Sequence, residues 1–328
     1  MATQFGRKVS LIIGPDSGDA LDLSGLRIVF RVQRGDLQTP NSARIRVYNV
    51  SDNTAQRTAA EFTRVVLQAG YEGNYGIIFD GSIIQVRRGR ESPTDTYIDI
   101  TAADGDMAYN FAVVNTTLAA GSTHADVVNA CLKAMGKFGV TAGYIVDLPS
   151  NPMPRGQVLF GMARDHLETV ARSTQTLWSI QDGQLQIVPE TSYVPGEIPV
   201  INARSGMVGL PEQTQNGITV RMLLNPGVKI GRLIQLDNSS IQRYEFSLSS
   251  ADAIANRNTS LQNKINGDGF YYVMSNEFWG DTRGNDWYNE VICLAVDATA
   301  QDLNLVNKGD HSVSGVVPPK LGVIDPYG

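Results

Sequence analysis

Apolar and polar residues alternate at period two through most of the first hundred positions, the pattern of half-buried strands. Residues 8–13, 26–33 and 44–49 each carry such a run, separated by the turn-rich residues 14–19 and by Thr39, Pro40 and Asn41. Ser51 or Asp52 is placed to cap a short helix over residues 53–62. From Gly105 to about Pro195 the period changes. Val127, Val128, Cys131, Ala134, Met135 and Phe138 recur at helical spacing behind a cap at Ser122 or Thr123, and Gly139 is placed to end that helix. Residues 144–154 hold Pro149, Pro152 and Pro154, which excludes a helix and predicts a linker or wrapped strand. Leu159, Ala163, Leu167 and Val170 then restore helical spacing over residues 158–171, and Asp182-Gly183 predicts the turn of a hairpin over residues 178–188. Beyond Pro195 strand patterns return at 198–202, 207–212, 217–226 and 231–237.

The densest strand signal lies at residues 269–297, where two aromatic and β-branched arms flank a polar centre, residues 280–286. This reads as a hairpin with a long loop. Residues 76–104 follow the same plan over the same length, with polar residues 87–94 at the centre. Ungapped superposition sets Val86 on Trp279, Arg90 on Arg283, Ile98 on Val291 and Ile100 on Cys293. Strand runs at 42–50 and 64–71 precede the first hairpin as those at 217–226 and 231–237 precede the second, so a whole β-unit repeats. Asp80-Gly81 would ordinarily mark a tight turn, but its counterparts Val273 and Met274 lie inside a strand, which predicts a bulge or bend there. The fold class is mainly β with an α+β insert. The organisation is a first β-unit (residues 1–105), the insert (106–195), a second β-unit (196–298) and an extended C-terminal arm (299–328) that orders against a partner. A polar, part-helical interval falls near residues 249–264.

Composition narrows the functional classes. At 328 residues with 42% hydrophobic and 18% charged, the chain can bury more than one core. It has no apolar run long enough to span a membrane, and residues 1–10 lack the apolar core of a secretion signal, so the protein is expected in the cytoplasm where it is made. Cys131 and Cys293 sit far apart in apolar patterns and read as two buried free thiols. A net charge of −6 argues against duplex binding through phosphates. The one basic cluster, Arg87, Arg88 and Arg90, falls in the expected hairpin loop and reads as a solvated tip.

Chemistry leaves few marks. His124, His166 and His311 are the only histidines and form no metal-binding spacing with one another or with the cysteines. Neither a nucleophile elbow nor a phosphate-binding loop occurs. Residues 281–286 lack the glycine position and the distal glutamate of a calcium loop. Glu277 and Asp281 could be nominated as a glycan-cleaving pair, but any chain with 33 acidic residues offers such a pair. No catalytic, cofactor-binding or metal-binding residue is assigned, and no cofactor is expected.

Residues 216–236 (Asn-Gly-Ile-Thr-Val-Arg-Met-Leu-Leu-Asn-Pro-Gly-Val-Lys-Ile-Gly-Arg-Leu-Ile-Gln-Leu) and residues 280–288 (Gly-Asp-Thr-Arg-Gly-Asn-Asp-Trp-Tyr) resemble the baseplate hub proteins of contractile-tailed bacteriophages, the Mu-like hubs in particular. The resemblance implies two tail-tube-like antiparallel β-barrel domains plus a small α+β domain, in a non-enzymatic homotrimer. It implies a pseudo-sixfold ring that joins the hexameric tail tube protein to the trimeric central spike protein, contacts other baseplate proteins, and leaves a channel for genomic DNA. The location implied is the virion tail baseplate, with assembly in the bacterial host cytoplasm. The C-terminal arm would meet spike, tube or tape measure protein. If the acidic balance extends to the channel, like charge would let DNA slide through. Two other readings stay open. One is a carbohydrate- or peptidoglycan-directed module with Trp178, Trp279 or Trp287 as stacking platforms. The other is the hub of a non-contractile tail or related injection machine.

Overall fold

A computed structural model of the protein describes residues 5–15, 19–214, 217–236 and 269–295. The alternating runs at the start form β1 (Arg7–Gly14), β2 (Leu21–Asp22), β3 (Ile28–Gly35) and β4 (Ser42–Tyr48). Helix α1 (Asp52–Ala60) follows, with the Ser51 hydroxyl accepting the Thr54 N–H at 3.2 Å. Then come β5 (Arg64–Tyr71), β6 (Asn74–Arg90) and β7 (Thr96–Ala103). β6 runs unbroken through Asp80-Gly81, with bulges on either side at Ile78 and Ile84. Gly81 is needed for close approach, since a Cβ there would lie 2.7 Å from the Ala103 carbonyl oxygen. Arg87, Arg88 and Arg90 belong to β6 rather than to the loop. Their backbone pairs with β7 whatever their side chains, so polarity misplaced the loop, which spans only residues 91–95.

The central segment holds α2 (Asp106–Phe111), β8 (Val113–Leu118), α3 (His124–Met135), β9 (Thr141–Ile145), β10 (Gln157–Met162), α4 (Ala163–Thr174), β11 (Thr176–Gln181) and β12 (Gln184–Pro189). The α3 cap is Thr123, whose N–H and hydroxyl donate to the Asp126 carboxylate at 2.8 and 3.0 Å. A 3₁₀ turn (Gly136–Phe138) extends the helix, and Gly139 ends it at φ 83°. Residues 158–162 are strand, not helix. Leu159 fits either period, and pairing with β8 decides the matter: Val158 and Phe160 point outward while Leu159 is buried. The start of the proline-bearing stretch is strand too, because β9 lies parallel beside β12. Asp182 and Gly183, both at positive φ, turn β11 into β12 as expected.

The last part comprises β13 (Val200–Ile201), β14 (Glu212–Thr214), β15 (Gly217–Leu223), β16 (Leu233–Leu236), β17 (Phe270–Asp281) and β18 (Trp287–Ala295). The interval at 249–264 and the arm at 299–328 lie outside the described residues. Among those described, thirteen strands share one sheet, whose main path is β14-β15-β18-β17-β3-β4-β7-β6-β5-β1-β2.

That path contains a repeat. The antiparallel neighbours β4-β7-β6-β5 recur as β15-β18-β17-β16, with the same chain order and the same directions. The bulge in β6 at Ile84 recurs in β17 at Met274. Ile83 N–H donates to the Thr63 carbonyl at 2.7 Å, as Val273 N–H donates to that of Arg232 at 2.9 Å. These marks set Val86 on Asn276 and Ile100 on Val291, so the ungapped superposition slips along both arms. Register is fixed by bulges and ladder bonds, which sequence spacing does not reveal.

The described residues form three main cores. One lies under β3, β4, β5 and β7, another in the central segment around Cys131, Leu159, Leu167 and Trp178, and a third under β15, β16 and the first half of β17. Each free thiol, Cys131 and Cys293, is buried in one of them. Burial pushes the Cys131 thiol up to about 12 and that of Cys293 higher still, so both are inert at neutral pH.

Candidate functional site

The hairpin β17–β18 joins the two repeats. Its near half, with Tyr271, Val273, Val291 and Cys293, fills the third core, whereas Phe278 and Trp287 on its far half enter the first. Trp287 Nε1 donates to the Gly70 carbonyl at 3.2 Å, and its ring meets Phe30 edge-on with centroids 5.4 Å apart. Gly280 faces it across the hairpin; a Cβ there would lie 2.7 Å from the indole ring. Between the two cores Asn276 and Asn289 are buried on the inward face. Asn289 Nδ2 donates to Asn276 Oδ1 at 2.9 Å, and Asn276 Nδ2 to the Val228 carbonyl at 2.9 Å, so their amides are satisfied. β3 then pairs with β17 over seven positions, stapled by ion pairs Arg31–Glu277 and Arg27–Asp281 (2.7 Å). Burial tends to raise the Asp281 carboxyl, but Arg27 and backbone N–H groups outweigh it and hold it below the usual range. Glu277 and Asp281 are thus engaged at this seam.

The outward face of the continuous sheet forms an open cleft of about 840 Å³ lined by Arg31, Arg44, Arg46, Arg87, Asp99, Glu277, Trp279 and Glu290, among others. Four arginines face three carboxylates here, so the acidic balance of the whole chain does not extend to this face. Arg46 makes a two-bond pair with Asp99 at 2.6 and 2.9 Å, and Arg221 stacks on Tyr288 and Trp279 at 4.5 and 5.2 Å. Arg44 has no ion pair among the described residues. Arg87 bonds Gln85 at 2.9 Å, and Arg88 pairs with Asp52.

A third junction ties the central segment to both repeats. Asp104 is buried and accepts the N–H groups of Asp182 and Gly183 at 2.6 and 2.9 Å, which seats the β11–β12 turn. The Asp182 carboxylate pairs with Arg34 at 3.0 Å and Lys229 at 3.5 Å, while Arg34 also donates to the Ile78 carbonyl and to Gln181. Burial drives the Asp104 carboxyl up to about 7, against the pull of Arg34 and the Gly183 N–H. For Asp182, burial is outweighed by Arg34 and Lys229, and its carboxyl lies low. Sequence reasoning did not find Arg34, Asp104, Asp182 or Lys229 as a group. Its only trace is the Asp-Gly turn, because the four residues are distant in the chain.

The tryptophans divide. Trp178 and Trp287 are buried at 1% exposure each, so neither can stack on a ligand, and Trp279 is half-buried under Arg221. His124 begins α3 and His166 lies within α4, each with a buried ring nitrogen lacking a hydrogen-bond partner. His311 lies outside the described residues. Among the described residues no group of histidine, cysteine and carboxylate side chains could hold a metal ion, and no helix is long and apolar enough to cross a membrane.

This course of strands and helices is similar to that of known tail proteins. The fold is similar to the 43 kDa tail protein of prophage MuSo2 from Shewanella oneidensis, at 8% identity and TM-score 0.55 over 89% of this chain and 97% of that one. It is also similar to the tail protein from Neisseria meningitidis MC58, at 11% identity and TM-score 0.54 over 88% and 96%. A third likeness is to the E. coli c3393 protein, a type VI secretion system component with structural similarity to T4 tail proteins gp27 and gp5, at 9% identity and TM-score 0.50 over 88% and 77%. No curated protein sequence matches the chain. The sequence profile of the family described as Baseplate hub gp41 matches residues 16–252, and the chain belongs to that family. It is a structural protein of the phage tail baseplate, and so of the virion.

Proposed function

We propose that three copies of this chain form a pseudo-sixfold ring that joins a hexameric tail tube to a trimeric central spike. The observation that carries this reading is the four-strand repeat with its shared bulge. Two similar units per subunit around a threefold axis present six similar surfaces to a sixfold partner, while their differences keep a threefold register for the spike. Residues 1–105 and 196–298 are the two tube-like barrels, residues 106–195 the insert outside or below the ring, and residues 299–328 an arm that orders against spike, tube or tape measure protein. The cleft face lines the channel. Of its four lining arginines, Arg31 and Arg46 are paired with carboxylates, which leaves Arg44 and Arg87 to meet phosphates, so the genome passes with few contacts. The role is non-enzymatic, and the particle is a contractile tail assembled in the host cytoplasm. A glycan-directed reading is weakened because two of the three tryptophans are in cores.

Light scattering across a concentration series, followed by averaged electron images, tests the ring. A threefold particle with six similar lobes is expected. A monomer at every concentration, with tube and spike proteins present, would overturn the reading. A sheath protein beside the chain in purified particles separates a contractile tail from the alternatives.

A further inference from the structure

Within one chain, the repeats meet edge to edge. The first strand of the first repeat unit, β3, pairs antiparallel with the hairpin strand of the second, β17, along the stretch beyond the β17 bulge. Among the described residues, the matching edges of the other two strands have no partner strand. Among the described residues, β6 beyond Ile84 pairs with β7 alone, and β14 pairs with β15 alone. These two edges are the repeat counterparts of those already joined: β6 corresponds to β17, and β14, paired to β15, corresponds to β3, paired to β4.

We propose that β6 of one copy pairs antiparallel with β14 of a second copy, in the register that the repeat transfers from the β3–β17 seam. The occupant of each open edge is a copy of this chain, and the proposal rests on the ring reading. The bulges set Arg87 on Glu277 and Gly89 on Trp279, and the β4 and β15 ladders set Glu212 on Arg31 and Thr214 on Gln33. Since Trp279 faces Arg31 and Glu277 faces Gln33 within the chain, Gly89 faces Glu212 and Arg87 faces Thr214 between copies. Charge provides independent support. Arg31 and Glu277 form a diagonal ion pair at the internal seam, and the transferred positions hold Glu212 and Arg87, the same pair with the signs exchanged. Both are exposed and neither has a carboxylate or cationic partner among the described residues. The basic face of an otherwise open strand edge discourages indiscriminate pairing, and an acidic residue on the incoming edge restores the match. Such a contact is head-to-tail, so it closes only as a ring or runs on as a filament.

The full-length chain with Arg87→Cys and Thr214→Cys together is the probe, because directly opposed strand residues lie within disulfide reach. Oxidation is expected to give covalent trimers, and neither single variant should give more than dimers. In parallel, Arg87→Glu and Glu212→Arg should each raise the concentration needed for assembly by about tenfold, and the double exchange should restore it. Both positions are solvent-exposed, so circular dichroism should show unchanged folding. Rings that form without cross-linking and ignore the charge changes would overturn this pairing while leaving the ring intact. Absence of any assembly of the wild type with tube and spike proteins present would overturn both.

Discussion

Replacing Trp287 by alanine tests whether the β17–β18 hairpin pins the two repeats together. The side chain is buried at 1% exposure in the first core although its strand belongs to the second repeat. Truncating a buried aromatic costs about 3–5 kcal/mol, and the lost edge-on contact with Phe30 and the bond to the Gly70 carbonyl account for roughly 1–2 kcal/mol of that. Set against a typical total of about 5–15 kcal/mol, this is a large share. Trp279→Ala is the control. That ring lies half-exposed on the outer face against Arg221 and Tyr288, so its loss should cost about 1 kcal/mol or less. Urea unfolding followed by circular dichroism gives both costs, and hydrogen exchange locates the damage. Trp287→Ala should strip protection from β5 around Gly70 and leave the β11–β12 hairpin unaffected. A cost under 1 kcal/mol, or one no greater than that of Trp279→Ala, would refute the pinning role.

Other expectations follow from the same geometry. Asp104 has its folded pKa raised by burial to about 7, above the ordinary value of 3.8, so between those limits the folded state holds a proton that the unfolded state has released. Its contribution is therefore present at low pH and declines as pH rises towards 7, by at most about 1.4 kcal/mol per pH unit; denaturation series of wild type and Asp104→Asn should differ by that slope, and parallel curves would contradict it. Asp182→Asn keeps a residue tolerant of positive φ but leaves the buried Arg34 without its carboxylate, and should cost about 1–3 kcal/mol by thermal unfolding. Phe160→Thr removes a side chain that is 74% exposed on the outer face of β10, so stability should stay within about 0.5 kcal/mol of wild type; a larger loss would show that this face packs against something within the chain.

By itself the sequence determined the mainly β class of the fold and signalled many of its strands and a recurring strand plan, because those depend on local period and turn chemistry. Alternation placed β1, β3 and β4, capping residues placed α1 and α3, and Asp182-Gly183 placed a hairpin turn. The family resemblance was also carried by local stretches, residues 216–236 and 280–288. Tertiary structure decided what period and propensity leave open. Residues 158–162 became strand because β8 offered an edge, and Arg87, Arg88 and Arg90 became strand because β7 supplied backbone partners. Register along the two hairpins came from bulges that leave no mark in spacing. The junction of Arg34, Asp104, Asp182 and Lys229 exists only where three segments meet. The seam between β3 and β17 was likewise invisible in the chain, since nothing in a strand's own residues states which edge it will join. Pairing between distant strands is a property of the whole fold, because backbone donors and acceptors are alike in every strand and only the packed structure selects which edges meet.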